Sequence, residues 1–71
     1  MTNVETLKAK IEASGITIAF LARKLGISRE GLYLKLNGTT EFKASEIATL
    51  SETLHLPPDQ RDAIFFAQTV N

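Results

Sequence analysis

The chain has 71 residues, 44% of them hydrophobic, a formal net charge of zero and no cysteine. Because a domain takes about 100–200 residues, this length predicts one small domain, residues 1–71, without disulfide bonds. No apolar run approaches the ~20 residues of a membrane span and no signal core follows Met1, so we expect a soluble cytoplasmic protein.

The first two predicted helices are bounded by capping residues and glycines. Thr2 and Glu5 fit a capping box that starts helix 1 at Thr2, and Gly15 is a natural residue for its end. Helix 2 is predicted to follow Thr17, a favourable N-cap, and to stop at Gly26. Its apolar residues recur at the spacing of one buried helix face and are Ile18, Leu21, Ala22 and Leu25.

Helices 3 and 4 are predicted from the same kinds of signal. Ser28 can cap helix 3, and the Asn37-Gly38 pair is expected to end it. Helix 4 is predicted from about Ala44 to His55, because apolar residues recur along one face of that segment.

Pro57-Pro58 interrupts the chain and marks the start of helix 5. Pro58 suits a first helical turn, and Asp59 would lie near the positive end of the helix dipole. The apolar surface of this helix is expected from Ile64, Phe65, Phe66 and Ala67. Since no segment alternates with a period of two, the sequence predicts an all-α fold of five short helices.

The segment 17–38 carries the most informative pattern, two helices of about eight residues joined by Gly-Ile-Ser. Ala22 is small enough to let the two helices approach closely, and Gly26 tolerates the positive φ of a sharp turn. Ile27 and Leu32 would anchor the turn and the second helix to the core. The segment therefore predicts a helix-turn-helix formed by helices 2 and 3.

The zero net charge, which at first sight argues against a nucleic-acid partner, conceals an uneven distribution. Residues 1–43 hold seven basic and four acidic side chains, whereas residues 44–71 hold one basic and four acidic. The halves therefore carry net charges of +3 and −3. Such an asymmetry indicates a polyanionic partner for the basic half, and chance segregation of charges is the alternative.

The helix-turn-helix segment also carries motifs typical of a known family, at Leu21-Ala22, Leu25-Gly26-Ile27-Ser28, Leu32 and Leu36-Asn37-Gly38. Through these residues the chain resembles the lambda-repressor/Cro-like helix-turn-helix family of phage and bacterial regulators. The resemblance covers essentially the whole chain and implies a single five-helix lambda-repressor-like DNA-binding domain. It further implies that helix 3, at about residues 28–36, is a recognition helix in the DNA major groove.

The resemblance also implies which side chains contact DNA. Those facing the groove would be Ser28, Arg29 and Glu30, with Tyr33 and Leu34 one turn later. Thr17, Asn37 and Lys43 are the implied phosphate contacts.

The chemistry of these residues leaves some roles open. Arg29 can bind guanine through two hydrogen bonds, worth about 1–3 kcal/mol of discrimination, while Glu30 either accepts from cytosine or complements the helix dipole. Tyr33 contacts a phosphate or a thymine methyl, or packs at the rim. Lys43 stands where Ser, Thr or Asp would cap helix 4 better, which indicates phosphate binding. Lys35 occupies a position that is often apolar in the family, so its stem is expected to follow the core edge.

Three phenylalanines are candidates for contact with protein. Phe20 aligns with Arg23 and Lys24 on the outward face, where either lysine stems cover it or it forms a contact surface. Phe65 and Phe66 are adjacent and point about 100° apart, so we expect only one of them to be fully buried in the small core. The second ring either covers a neighbouring helix or forms the seam of a homodimer.

Two functions from different classes follow. The first is a sequence-specific transcriptional regulator of phage Cro/repressor type that binds double-stranded operator DNA. The second is an antirepressor or modulator whose helix-turn-helix scaffold binds a partner repressor protein. The second is favoured by Phe20, by the zero net charge and by the absence of the glutamine with which relatives commonly begin helix 2.

An enzyme is disfavoured by the residue types present. The chain has no cysteine nucleophile, no glycine-rich phosphate loop and no paired-carboxylate constellation. Its one histidine, His55, would lie in the last turn of helix 4, where an imidazole interacts well with the dipole. We therefore expect no catalytic residue, metal site, cofactor or small-molecule substrate.

Overall fold

The computed structural model describes residues 2–66 of the chain. It contains the helices α1 (Val4–Ser14), α2 (Ile18–Leu25), α3 (Arg29–Leu36), α4 (Ala44–Thr53) and α5 (Pro58–Phe65). No strand occurs within the described residues, and the predicted all-α fold of five helices is confirmed. No helix in this part of the chain is both long enough and apolar enough to cross a membrane.

Side-chain caps begin α2 and α3 where the sequence predicts them. The Thr17 hydroxyl oxygen accepts a hydrogen bond from the Phe20 N–H at 3.1 Å, and the Ser28 hydroxyl oxygen accepts one from the Gly31 N–H at 2.9 Å. Between the two helices, Gly26 adopts a φ of 72°, the left-handed conformation that the sharp turn requires. The helix-turn-helix geometry therefore follows from local chemistry.

The predicted capping box at Thr2 is wrong by one residue. The N-cap of α1 is Asn3, whose side-chain oxygen accepts from the Thr6 N–H at 3.2 Å. The Asn3 N–H in turn donates to the Ile64 carbonyl of α5 at 2.6 Å. This hydrogen bond connects the start of α1 to a helix that is far away in the sequence, and the spacing of residues near Asn3 cannot reveal it.

The predicted end of helix 4 is also wrong, because α4 ends at Thr53 and not at His55. The chain leaves α4 through a Schellman motif, in which the His55 N–H donates to the Glu52 carbonyl and the Leu56 N–H donates to the Ser51 carbonyl. His55 adopts a left-handed φ of 54° at this turn. The imidazole therefore does not lie in the last helical turn.

The two adjacent phenylalanines of the C-terminal segment separate at the end of α5. Phe65 is the last helical residue and is buried, whereas Phe66 follows the helix and is 54% exposed. Of the other two residues predicted to form an apolar surface, Ile64 is buried, and Ala67 lies outside the described residues. The prediction that Phe66 belongs to helix 5 is wrong.

One hydrophobic core draws on all five helices and on the loop before α4. Its buried members are Leu7, Ile11, Leu21, Ala22, Leu32, Leu36, Phe42, Ile47, Leu50, Ile64 and Phe65. Phe42, from the loop, packs edge-on against Phe65 with ring centroids 5.6 Å apart. Because α2 packs against both α3 and α4, the inner face of α3 is held in the core and its outer face is left in solvent.

Candidate nucleic-acid interface

The outer face of α3 presents all of the predicted groove-facing side chains to solvent. Leu32 and Leu36 are buried on the inner face. The exposed set is Ser28, Arg29, Glu30, Tyr33 and Leu34. The helix therefore buries one side and leaves the other free to contact a partner, with Gly31 and Lys35 half-buried.

At the start of this face, Arg29 and Glu30 differ in the interactions that they already make within the protein. Within residues 2–66 the ion pairs are Lys35–Glu46 and Arg61–Asp62, so neither Arg29 nor Glu30 takes part in one. Glu30 lies in the first turn of α3, where a carboxylate complements the helix dipole. The N–H donors of the Arg29 guanidinium are therefore available to a ligand.

Three predicted contact residues come together around a groove of about 520 Å³ formed by α1, the start of α2 and the end of α3. They are Thr17, Tyr33 and Asn37, all exposed. The full lining is Lys8, Ile11, Glu12, Ile16, Thr17, Ile18, Tyr33, Leu36 and Asn37. The exposed members of this set are polar or phenolic and the apolar members are buried or half-buried, so the groove has an apolar floor and a polar rim.

Lys8 at this rim is a candidate that the sequence reasoning missed. It lies on α1, outside the helix-turn-helix, and only its charge could have drawn attention to it. The neighbouring start of α2 has no acidic residue in its first turn, so the positive end of its dipole is not neutralised there. Lys8, Thr17 and this helix start favour an anion, and the exposed Glu12 carboxylate in the same lining opposes it.

Lys43 does not line the groove and lies instead at the start of α4. It is the N-cap residue, as predicted, and its side chain is exposed and makes no capping hydrogen bond. Its N–H donates to the Glu46 carboxylate at 2.8 Å. The cap of α4 is thus supplied by Glu46, and the Lys43 ammonium remains available to a partner.

Glu46 is buried and is a second residue that the sequence reasoning missed. Burial raises the pKa of Glu46, but hydrogen bonds from the Lys43 N–H and the Lys35 ammonium, with the charges of both lysines, outweigh it. The pKa of Glu46 therefore lies below its ordinary value. The available signal was its place three residues after the N-cap, where a glutamate commonly reaches back to the cap.

The Lys35 stem follows the core edge, as expected, and its ammonium makes its contacts within the protein. Its ammonium lies 3.1 Å from Glu46 Oε1 and donates to the Glu41 carbonyl at 2.9 Å. It also lies 5.8 Å from the centroid of the Phe42 ring. Lys35 therefore does not contribute to the exposed charge of α3.

The remaining candidate surfaces lie outside α3. Phe20 is 41% exposed on α2, and the Lys24 ammonium lies 5.9 Å from its ring centroid, so the lysine covers the ring only in part. Near the end of α5, Phe66 borders a groove of about 270 Å³ whose other lining residues are Ala44, Ile47, Ala48 and Arg61. Both surfaces leave an aromatic ring accessible to a protein partner.

Comparison with known proteins identifies the family of the chain. A helix-turn-helix family model matches residues 7–60, from within α1 to the first turn of α5. The search of curated proteins finds no match. The matched segment contains the whole helix-turn-helix and most of the core described above, and it accounts for well over half of the chain. The chain therefore belongs to the lambda-repressor/Cro-like helix-turn-helix family and is a DNA-binding regulator of transcription.

Proposed function

We propose that the protein is a sequence-specific regulator of the phage Cro/repressor type that lays residues 28–36 in the major groove of operator DNA. The observation that carries this proposal is the outer face of α3, whose side chains are exposed and include an arginine without an ion pair in residues 2–66. A recognition helix reads base edges with the residues of its N-terminal part. The exposed face begins at that end of α3.

Base reading is assigned to four side chains of α3. Arg29 binds guanine through O6 and N7, and Leu34 and Tyr33 offer apolar surface to thymine methyl groups. Glu30 either accepts a hydrogen bond from a cytosine amino group or complements the dipole of α3. This set favours a half-site that combines a guanine with neighbouring thymines.

Phosphate contacts are assigned to residues on either side of this helix. Thr17 and Asn37 border the groove beside α2, where Lys8 joins them, and Lys43 lies at the start of α4. These contacts fix the register of the protein on the duplex but carry no sequence information. We add Lys8 to the set because it shares the groove with Thr17.

The experiment that tests the proposal starts from a library of randomised DNA duplexes, from which bound sequences are selected. The dissociation constant for the selected duplex is then measured at several salt concentrations. Lys43→Ala is expected to weaken binding to every sequence alike and to lower the salt slope by about one unit. Lys10→Ala removes the same charge from α1 and serves as the control, with an unchanged slope. Failure to enrich any sequence would overturn the proposal.

A second candidate function is that of an antirepressor or modulator that binds a partner repressor protein. It is favoured by the exposed Phe20 ring on the outer face of α2 and by the zero net charge of the chain. In that case Phe20→Ser abolishes the complex with the repressor while the circular dichroism spectrum stays unchanged. A tight complex with that repressor, together with no enrichment of DNA, would reverse the order of the two functions.

A further inference from the structure

One lysine of α3 holds the segment that leads into α4. The Lys35 ammonium is 3.1 Å from Glu46 Oε1, and the two side chains are only 12% and 7% exposed. The other ion pair within residues 2–66, Arg61–Asp62, joins neighbouring residues of α5 and is far more exposed. Lys35–Glu46 is therefore the ion pair of the described chain that connects two helices.

The same groups reach the loop residues just before α4. Lys35 donates to the Glu41 carbonyl at 2.9 Å, and its ammonium lies 5.8 Å from the Phe42 ring centroid. Glu46 Oε1 also accepts from the Lys43 N–H at 2.8 Å. The consecutive residues 41, 42 and 43 are thus each connected to α3, directly or through Glu46.

We propose that Lys35 and Glu46 are positioning residues for DNA binding, which fix Lys43 and its loop relative to the recognition helix. The inference rests on the proposed function, because it requires both α3 and Lys43 to meet DNA. Lys35 touches no DNA in this arrangement. It acts through Glu46, whose carboxylate bridges the Lys35 ammonium and the Lys43 N–H.

The pair Lys35–Glu46 defines the geometry of the loop more than it raises the free energy of unfolding. Burial of two charges carries a desolvation penalty that offsets much of their attraction, so such a pair often adds little to the free energy of unfolding. Charge-assisted hydrogen bonds are directional, however, and they define one position for the loop. A loop that is already ordered loses less conformational entropy when Lys43 binds a phosphate.

The test uses the double variant Lys35→Met, Glu46→Gln. It leaves the net charge unchanged, removes both buried charges together and keeps an oxygen at position 46 that can accept from the Lys43 N–H. The matched control is Glu5→Gln, Lys10→Met, which makes the same two kinds of substitution on α1, at residues that form no ion pair within residues 2–66. Both are assayed on the selected duplex, in the wild-type background and in the Lys43→Ala background.

We expect the double variant to weaken DNA binding at least about threefold and to lower the salt slope, while the control leaves both unchanged. In the Lys43→Ala background the same double substitution should change affinity by less than about twofold, the limit of simple additivity. An equal loss in both backgrounds would overturn the proposal, because Lys35 would then act independently of Lys43. Wild-type binding by the double variant would overturn it too.

One further variant, together with the assays already described, separates the outcomes. If the double variant does not fold, Glu46→Gln alone is assayed in the same two backgrounds, with the same expectations. If the wild-type protein enriches no DNA sequence, the proposed function itself fails. If Lys43→Ala weakens binding but neither the double variant nor Glu46→Gln does, only the positioning role fails.

Discussion

In the proposed function, base reading by α3 depends most on Arg29. It is exposed in the first turn of the helix and takes part in no ion pair within residues 2–66. Arg29→Ala is expected to relax the preference at one base pair by about 1–3 kcal/mol, since the two bonds to guanine are lost. Duplex selection with the variant measures this effect, and Arg23→Ala on α2 is the control. Unchanged selectivity would contradict the placement of the recognition helix.

His55 occupies a backbone conformation that suits glycine. Its φ of 54° places it in the left-handed region, where a Cβ costs roughly 1–2 kcal/mol. His55→Gly is therefore expected to raise the free energy of unfolding by about 1 kcal/mol, or the melting temperature by about 4–8 °C. Thermal denaturation followed by circular dichroism measures the change. His55→Ala keeps the Cβ and should give no such gain; an equal gain would trace the effect to the imidazole.

The connection between α3 and α4 makes stability depend on pH through Glu46. Because the pKa of Glu46 is lower in the folded protein than its ordinary value of 4.5, the unfolded chain binds more protons at acid pH. The stabilisation that the Glu46 carboxylate provides is therefore complete above pH 4.5. It is lost as the pH falls through the pKa of Glu46 in the folded protein. Facing Glu46, the Lys35 ammonium and the Lys43 N–H lose their charged partner when it is protonated.

Urea denaturation between pH 7 and pH 3 measures this dependence in the wild type and in Glu46→Gln. The difference in free energy of unfolding between the two proteins should be largest near pH 7 and should shrink below pH 4.5. Asp62→Asn, in the exposed pair of α5, should differ little from the wild type throughout. A difference between wild type and Glu46→Gln that is constant with pH would show that the carboxylate charge contributes nothing.

Helix boundaries were predictable where local groups set them. Thr17 and Ser28 cap their own first turns, and Gly26 supplies a positive φ, so α2 and α3 lie where the sequence places them. The start of α1 was misplaced by one residue, although Asn3 is a preferred N-cap and caps its own first turn. The bond from the Asn3 N–H to the Ile64 carbonyl is the part that local groups do not set. The end of α4 was not predictable, since no glycine marks the left-handed turn.

At the scale of the whole molecule, Phe66 is the basis for proposing a homodimer. It is 54% exposed beside a groove that includes Ala44 and Ala48 on α4. One small module binds DNA weakly, whereas two copies about 34 Å apart read a palindromic site. We expect Phe66→Ser to shift the protein toward monomer in sedimentation velocity without DNA. Tyr33→Ser removes a ring that is 51% exposed on α3 and is the control, expected to leave the oligomeric state unchanged.

The DNA-binding assays extend this prediction. Loss of the second copy should weaken binding to a palindromic duplex far more than binding to a single half-site, because the half-site needs only one module. The homodimer would be contradicted if the wild-type protein sedimented as a monomer both without DNA and when bound to the palindromic duplex.

The sequence by itself determined the five-helix class and the helix-turn-helix, because caps, glycines and apolar spacing act over a few residues. Its motifs indicated the family through resemblance, which the family model confirms. The resemblance to the family further implied which side chains of α3 face outward, and the structure leaves all of them exposed. Only the tertiary structure decided which of two adjacent phenylalanines is buried, brought Lys8 to the groove with Thr17, and paired Lys35 with Glu46. That pair joins a lysine of the +3 half to a carboxylate of the −3 half. The charge difference between the halves therefore overstates the positive charge that α3 presents to DNA. The physical reason is that a charge count follows the chain, whereas screening and pairing depend on distances that only packing sets.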